Sequence, residues 1–231
     1  DDARDGQRQL KLATGTAEFV GAVGSNDARS MIEVTNAGTA QFGSSATVTG
    51  DIELTADEID FNGGNNTIST TGAGMILLQP TAANVTIGIG GGTGTLDLSL
   101  TDVTALANGF SEINVGFEAT GAAAVDIDGG VFKDDLHVTG SSISVTGLDN
   151  SGSRVTLLAR TGDVSDGNTA ATDVTASDLK IDAQTGVGSA DKLETAVDQI
   201  AIVNAASGNI FVDNTSATLT IGTVDGTSGV T

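Results

Sequence analysis

Short segments in which apolar and polar side chains alternate make up most of this chain. In an extended strand such alternation places the apolar residues on one face and the polar residues on the other. The clearest examples are residues 10–12, 52–54, 59–61, 85–87, 96–98, 143–145, 179–181 and 219–221. The pattern predicts half-buried β-strands along nearly the whole sequence.

Turn residues separate these segments at short distances. The runs at 24–27, 36–38 and 43–45 are rich in turn-forming residues. Gly and Asn tolerate positive φ, and the side chains of Ser and Asp can form hydrogen bonds with the backbone of a turn. Two or three strands with their turns amount to about 20 residues, which is the length of one solenoid coil. We therefore expect an all-β solenoid with an axial aliphatic core. At ~4.8 Å per coil the chain would form a rod of roughly 50 Å.

Two stretches have helical rather than alternating spacing. The first begins at Thr101, a good N-cap, and ends at Asn108-Gly109, a C-terminal signal. The apolar residues with this spacing are Val103, Leu106 and Ala107 in the first stretch and Leu193, Ala196, Val197 and Ile200 in the second. The sequence thus predicts one or two short helical insertions. Turn residues also make 161–172 the expected long loop.

A weak internal repeat supports an array of similar coils. Residues 112–115 and 125–128 resemble residues 199–202 and 210–213 in order and spacing. We interpret residues 1–231 as one solenoid segment, with a weak internal division near 116–122 as the alternative. The chain opens at Asp1 without an initiator Met, and the coil pattern persists at 221–224. These features are those expected of a fragment or a processed part of a longer repeat protein.

Certain segments resemble large secreted bacterial surface proteins of the filamentous-haemagglutinin type. The similar segments are residues 54–64, 95–98, 109–113 and 186–195, and the likeness covers most of the chain from Leu10 onward. The resemblance implies a right-handed parallel β-helix, an adhesive or matrix role and an extracellular location. It supplies no catalytic residue. The secretion-targeting N-terminal region of that family is not recognisable in this sequence.

The net charge of the chain restricts the classes of partner that it can be expected to bind. Thirty acidic residues against nine basic ones give a net charge of −21. Such a surface repels nucleic acid backbones and anionic membrane surfaces. No apolar run approaches the ~20 residues that span a bilayer, so membrane insertion is not expected. The chain has no Cys, which excludes disulfides and thiolate metal sites.

Asp126 and Asp128 are the candidate metal ligands. In the sequence Asp126-Ile127-Asp128-Gly129-Gly130 the two carboxylates share one face of a strand that leads into a tight turn. Calcium prefers several hard oxygen ligands, so this pair predicts a weak calcium site. The alternative is a solvated outer face. The pairs and clusters at 57–60, 134–135 and 163–166 are weaker candidates of the same kind.

The glycine cluster at 90–94 resembles the calcium-binding nonapeptide of β-rolls. That motif needs Asp at the position of Leu96, and Asp97 comes one residue late, which turns its carboxylate to the other face. We interpret the cluster as a flexible turn.

Catalysis is not expected. Paired carboxylates also fit a carbohydrate-active β-helix enzyme, but the chain has no Trp or Tyr to form a sugar platform. The only histidine, His137, alternates with Leu136 and Val138 and is expected on the exposed face of a strand. No nucleophile motif accompanies it.

The sequence therefore favours a structural or adhesive segment of a bacterial surface protein or filament, with no enzyme activity. Open strand edges at both ends would let copies stack end to end. Surface glycans or other cells are further candidate partners. The alternatives are a calcium-dependent matrix or surface-layer module and, less favoured, the carbohydrate-active enzyme.

Overall fold

The computed structural model describes residues 9–13, 15–24, 28–117 and 123–231. It is a parallel β-solenoid of about ten coils, with 55% of the residues in strands and 3% in helix. The predicted all-β solenoid is confirmed.

Twenty-one strands and one helix make up the described chain. In chain order they are β1 (Gln9–Ala13), β2 (Thr16–Phe19), β3 (Met31–Phe42), β4 (Ala46–Val48), β5 (Ile52–Phe61), β6 (Ile68–Thr70), β7 (Ile76–Gln79), β8 (Ile87–Gly90), β9 (Leu96–Ser99), α1 (Leu100–Ala105), β10 (Ile113–Val115), β11 (Val125–Asp128), β12 (Leu136–Gly140), β13 (Ile143–Thr146), β14 (Leu148–Ala159), β15 (Val164–Asp166), β16 (Val174–Ala183), β17 (Leu193–Asn204), β18 (Val212–Asn214), β19 (Thr220–Ile221), β20 (Thr223–Val224) and β21 (Thr227–Ser228).

One parallel sheet runs along the whole solenoid and contains a column of aliphatic residues, one from each coil. The column consists of Leu10, Ile32, Ile52, Ile76, Ile113, Leu136, Val155, Leu179, Ile200 and Ile221. Neighbours in this column are 19 to 24 residues apart, except that Ile76 and Ile113 are 37 apart. The predicted coil length of about 20 residues is therefore confirmed for most coils.

The other faces of the coil are formed by shorter strands. A five-stranded parallel sheet has the order β15-β13-β11-β8-β9, and β4 pairs with β6 on a separate face. The long strands β3 and β14 turn a corner, where the ladder shifts register between Val34 and Ala37 and between Asn150 and Arg154. Asn36, at the first corner, has a φ of 54°, a conformation that asparagine tolerates well.

Inward-facing side chains form a continuous hydrophobic core that extends from Ala17 to Ile202. Strand β3 shows the alternation on both sides of its corner, since Ile32 and Val34 are buried before it and Ala40 and Phe42 after it, with Glu33 and Gln41 more exposed. Ala37, at the corner, is buried as well. Near the N-terminal end Phe19, Phe42 and Phe61 stack along the axis, with ring centroids 4.3 Å and 5.5 Å apart.

The predicted helix is present, but it begins before Thr101 and ends at Ala105, well before the expected end at Asn108-Gly109. Helix α1 spans Leu100–Ala105, and its N-cap is Ser99 rather than Thr101. Ser99 and Asp102 form a reciprocal capping box, a motif that the Ser-x-x-Asp spacing carries. The buried Asp102 carboxylate also accepts a hydrogen bond from the backbone N–H of Phe61, at 2.6 Å. The helix is thereby fixed against β5, on the phenylalanine stack.

The second predicted helix is wrong, because residues 193–204 form strand β17. Leu193, Thr195 and Val197 are buried at alternate positions, and the alternation resumes with Ile200 and Ile202 after a corner. The corner shifts the phase of the period-two pattern by one residue. Two strands in opposite phase then imitate the i, i+3, i+4 spacing of a helix.

The prediction of a long loop at 161–172 is partly wrong, because this segment contains strand β15.

The two copies of the internal repeat occupy equivalent positions in the solenoid. Ile113 and Ile200 belong to the same column, and Val125 is connected to Ile210 through successive parallel pairs. Residues 118–122 of the suggested division lie outside the described residues.

Within the described ranges, no helix is long and apolar enough to cross a membrane.

Truncating the middle ring of the phenylalanine stack tests the axial core. Phe42→Ala should lower the free energy of unfolding by about 3–5 kcal/mol, because the cavity would remove contacts to both neighbouring rings. Urea unfolding combined with hydrogen exchange should locate the loss in the coils that contain β2, β3 and β5.

The matched control is Gln41→Ala, which changes the adjacent outward-facing residue of β3. We expect its unfolding free energy to stay within about 0.5 kcal/mol of the wild type. Equal losses in the two variants would contradict the assignment of Phe42 to the core.

Candidate functional site

Asp126 and Asp128 lie on β11 and point away from the core, as their alternation with Ile127 predicts. Asp126 is engaged by the turn that follows β8. Its Oδ2 accepts hydrogen bonds from the backbone N–H of Thr93, at 2.8 Å, and from the Thr93 hydroxyl, at 3.0 Å. The Asp126 carboxylate therefore holds a turn in place. That the pair binds calcium stays a prediction.

The glycine cluster forms the turn between β8 and β9, which is closely packed rather than open. A Cβ on Gly92 would lie 2.0 Å from the carbonyl oxygen of Asp126, and one on Gly94 would lie 2.0 Å from the Gly88 nitrogen. Only glycine fits these positions. Asp97 is exposed on β9 between two buried leucines, so its carboxylate does face away from the core.

His137 faces outward, as expected, but it is not exposed. Only 13% of its side chain is accessible, and its Nδ1 lies 4.0 Å from Glu112 Oε1. The expectation of an exposed histidine is wrong because Asn114 and Thr156 flank His137 on the two neighbouring strands. In a stacked sheet even the outer face is partly covered by the coils above and below.

Arg154 connects acidic residues from several coils on the outer face. Its Nη2 lies 3.2 Å from Glu112 Oε1 and 3.0 Å from Asp135 Oδ2, and its Nη1 lies 3.7 Å from Asp225 Oδ1. Asp225 also pairs with Lys180 at 3.0 Å. The hydrogen bond from Lys180 is the main reason that the pKa of Asp225 is lowered. These pairs tie the turn between β20 and β21 to the large sheet.

The strongest candidate site is a cluster of three carboxylates, Asp166, Asp173 and Glu194. One oxygen from each side chain can be chosen so that all three lie within 4.8 Å of one another. Asp173 is fully buried and Glu194 is 6% exposed. We call these three residues the acidic cluster.

The stacking of coils creates the acidic cluster. Asp166 ends β15, Asp173 directly precedes β16, and Glu194 is the second residue of β17. Because Val174 is paired with Thr195, the residues before them also face each other. The Asp173 N–H donates to the Glu194 carbonyl at 2.8 Å, and the Glu194 N–H donates to Asp173 Oδ2 at 2.9 Å.

Asn168 shapes the loop between the two aspartates. Its backbone N–H donates to Asp166 Oδ1 and its side-chain amide donates to Asp173 Oδ1, each at 2.6 Å. Its own Oδ1 accepts hydrogen bonds from the backbone of Ala170 and Ala171. The loop thus holds Asp166 and Asp173 in fixed positions.

Two oxygens of the acidic cluster are buried without a hydrogen-bond partner among the described residues. They are Asp166 Oδ2 and Glu194 Oε2. The nearest compensating charge is Lys192, whose Nζ lies 3.6 Å from Glu194 Oε1 and also contacts Asp213. A buried carboxylate oxygen without a partner is costly, so this arrangement favours a proton or a cation between the side chains.

Burial raises the pKa of Asp173 to about 7, and the neighbouring Asp166 carboxylate adds to the increase. The opposing hydrogen bond from the Glu194 backbone is not enough to cancel it. A protonated Asp173 relieves the repulsion within the acidic cluster below neutral pH. Glu58, on β5, behaves similarly, since burial and then the charges of Asp60, Asp97 and Asp102 raise its pKa to about 7.

Sequence patterns indicate this cluster only in part. Asp166 was a weak candidate in the pair with Asp163, but Asp173 and Glu194 stood out in no motif. Asp173 and Glu194 are 21 residues apart in the sequence, so only the register of two successive coils brings them together. That one-coil spacing was the available signal.

Comparisons with protein-family models, with curated proteins and with solved structures find no match for this chain. The fold and the sites together define an acidic parallel β-solenoid with a buried carboxylate cluster. The resemblance to filamentous-haemagglutinin-type proteins, and the absence of enzyme activity, stay predictions.

The raised pKa of Asp173 makes stability depend on pH in a defined direction. Between its ordinary value of 3.8 and about 7, Asp173 holds its proton in the folded protein but loses it on unfolding. Stability should therefore be greatest at low pH within this window and fall as pH rises through about 7. Glu58 should add to the same trend. The decline can be measured as the difference in the free energy of unfolding between pH 5 and pH 8, by urea unfolding in the presence of a chelator.

Asp173→Asn should flatten this decline, since the amide cannot ionise, and Glu58→Gln should do so separately. Asp191→Asn, at an exposed carboxylate outside both groups, is the control and should leave the decline unchanged. A decline that persists in full in Asp173→Asn would contradict a buried proton at this position.

Proposed function

We propose that this solenoid is a structural segment of an extracellular bacterial surface protein or filament, and that copies of it stack end to end. The observation that carries the proposal is the aliphatic column, whose end members among the described residues are Leu10 and Ile221, the latter exposed at the surface. Parallel backbone ladders run along the same axis. A continuous core with ladders along it gives a stiff rod, which suits a scaffold.

The C-terminal coil leaves part of the axial core open to solvent. Phe211, Leu219, Ile221 and Val230 are 49%, 41%, 62% and 41% exposed. Leu219, Ile221 and Val230, but not Phe211, line an apolar concavity together with Ile200, Ile202, Ile210 and Val212. We call this surface the open end.

A second copy of this chain is the occupant that the open end fits. Among the described residues, strand β1 lies at the other end of the large sheet and contains the partly buried Leu10 and Leu12. Leu10 begins the column that Ile221 ends, so a head-to-tail copy would continue the same ladder with the same chemistry. Parallel pairing allows only this direction, and such a contact repeats without closing.

The net charge of −21 opposes this stacking. Exposed charges repel over a Debye length of about 10 Å at 0.1 M salt but only about 3 Å at 1 M. The proposal therefore includes a salt dependence, with longer assemblies at higher ionic strength.

Ile221→Asp tests the stacking, because it places a charge at the centre of the open end. The wild type should form linear assemblies with increasing concentration and salt, whereas Ile221→Asp should remain monomeric. Sedimentation velocity and negative-stain microscopy measure the two states.

Val131→Asp is the matched control, since Val131 is similarly exposed, at 54%, but lies in the middle of the chain. It should assemble like the wild type. A wild type that stays monomeric at every salt concentration, or an Ile221→Asp variant that assembles normally, would overturn end-to-end stacking.

A calcium-dependent matrix or surface-layer module is the second candidate function. The acidic cluster is the observation that favours it, because buried carboxylates from successive coils could make the solenoid respond to divalent cations. Binding of surface glycans or of other cells rests only on the family resemblance.

A further inference from the structure

We propose that Asp166, Asp173 and Glu194 form a calcium site that joins two successive coils. The site consists of residues that the sequence did not select together, and it differs from the Asp126–Asp128 pair. It does not depend on the stacking of copies, since all three ligands belong to one chain.

The ligand chemistry fits a hard divalent cation. All three side chains offer carboxylate oxygens, which calcium and magnesium prefer over nitrogen or sulfur. Oxygens bound to one calcium ion at about 2.4 Å can stand at most about 4.8 Å apart. The three oxygens of the acidic cluster meet this limit. Magnesium binds at about 2.1 Å in a strict octahedron, which three separate segments satisfy less readily.

The unpartnered oxygens point to a ligand rather than to a solvated acidic patch. Glu194 is more than nine-tenths buried, and its Oε2 has no hydrogen-bond partner among the described residues. Asp166 Oδ2 is likewise buried without a hydrogen-bond partner among the described residues. Asp166 Oδ1 accepts a hydrogen bond from the Asn168 backbone N–H. The two oxygens of Asp173 each accept one, from the Asn168 side-chain amide and from the Glu194 backbone N–H, so both carboxylates are oriented. The remaining lone pairs are available to a cation.

The charge balance also fits a divalent ion. Of the three carboxylates, Glu194 pairs with Lys192, which also contacts Asp213, so among the described residues the acidic cluster carries more negative than positive charge. A divalent cation would offset this excess.

Titration of the chelator-treated chain with calcium chloride tests the site directly. Isothermal titration calorimetry at pH 7.5 should show one ion bound at the acidic cluster. The melting temperature should rise by about 5–10 °C when calcium is at a hundred times its Kd. Magnesium chloride should bind more weakly.

Two double variants distinguish the acidic cluster from general charge effects. Asp173→Asn with Glu194→Gln should abolish the calcium-induced rise in melting temperature, while leaving a folded protein at pH 8 in chelator. Asp126→Asn with Asp128→Asn removes the same number of charges and should keep the rise. Circular dichroism of each variant verifies the fold.

The inference is overturned if the wild type shows no calcium-dependent change, or if the variant at 173 and 194 keeps the change. A response lost only in the variant at 126 and 128 would also overturn it and assign calcium to that pair instead. All measurements use dilute monomer, so failure of this inference is separate from failure of end-to-end stacking.

Discussion

The in-register stacking of aliphatic side chains from one coil to the next is the constraint on which the rest of the structure depends. Each coil has one inward residue at the same place in the ladder, from Leu10 to Ile221. A slip of one residue would turn every inward side chain to the solvent. The register therefore fixes the core, the outer face and the positions at which acidic residues from different coils meet.

The alternating pattern was enough to predict the fold class, because a period of two survives within each strand. Corners were harder to predict, since a phase shift between Val197 and Ile200 imitated a helix. The helix at Leu100–Ala105 could be predicted because helical spacing is a local signal, although its caps are Ser99 and Leu106 rather than the predicted Thr101 and Asn108-Gly109. Contacts between coils could not be predicted from the sequence, because coil lengths vary. The pairing of Asp173 with Glu194, for example, requires knowledge of the register between β16 and β17.

The acidic composition has different consequences on the two sides of the coil. On the outer face, Arg154 and Lys180 neutralise Glu112, Asp135 and Asp225 at distances typical of partly exposed ion pairs, which contribute little to stability individually. In the acidic cluster Asp173 and Glu194 are buried, and the loss of hydration makes their negative charge energetically unfavourable. Burial, rather than the number of carboxylates, distinguishes the candidate site from the rest of the surface.

The long coil between Ile76 and Ile113 shows how the solenoid accommodates extra chain. Its additional residues form β9 and α1, and the columns on either side remain paired across it. Extra segments at this place leave the aliphatic column paired, so a coil can lengthen by adding a strand to an existing sheet, as β9 does beside β8. Variation among such coils is therefore easiest where inserted chain buries its own apolar residues against the common core, as Leu96 and Leu98 do.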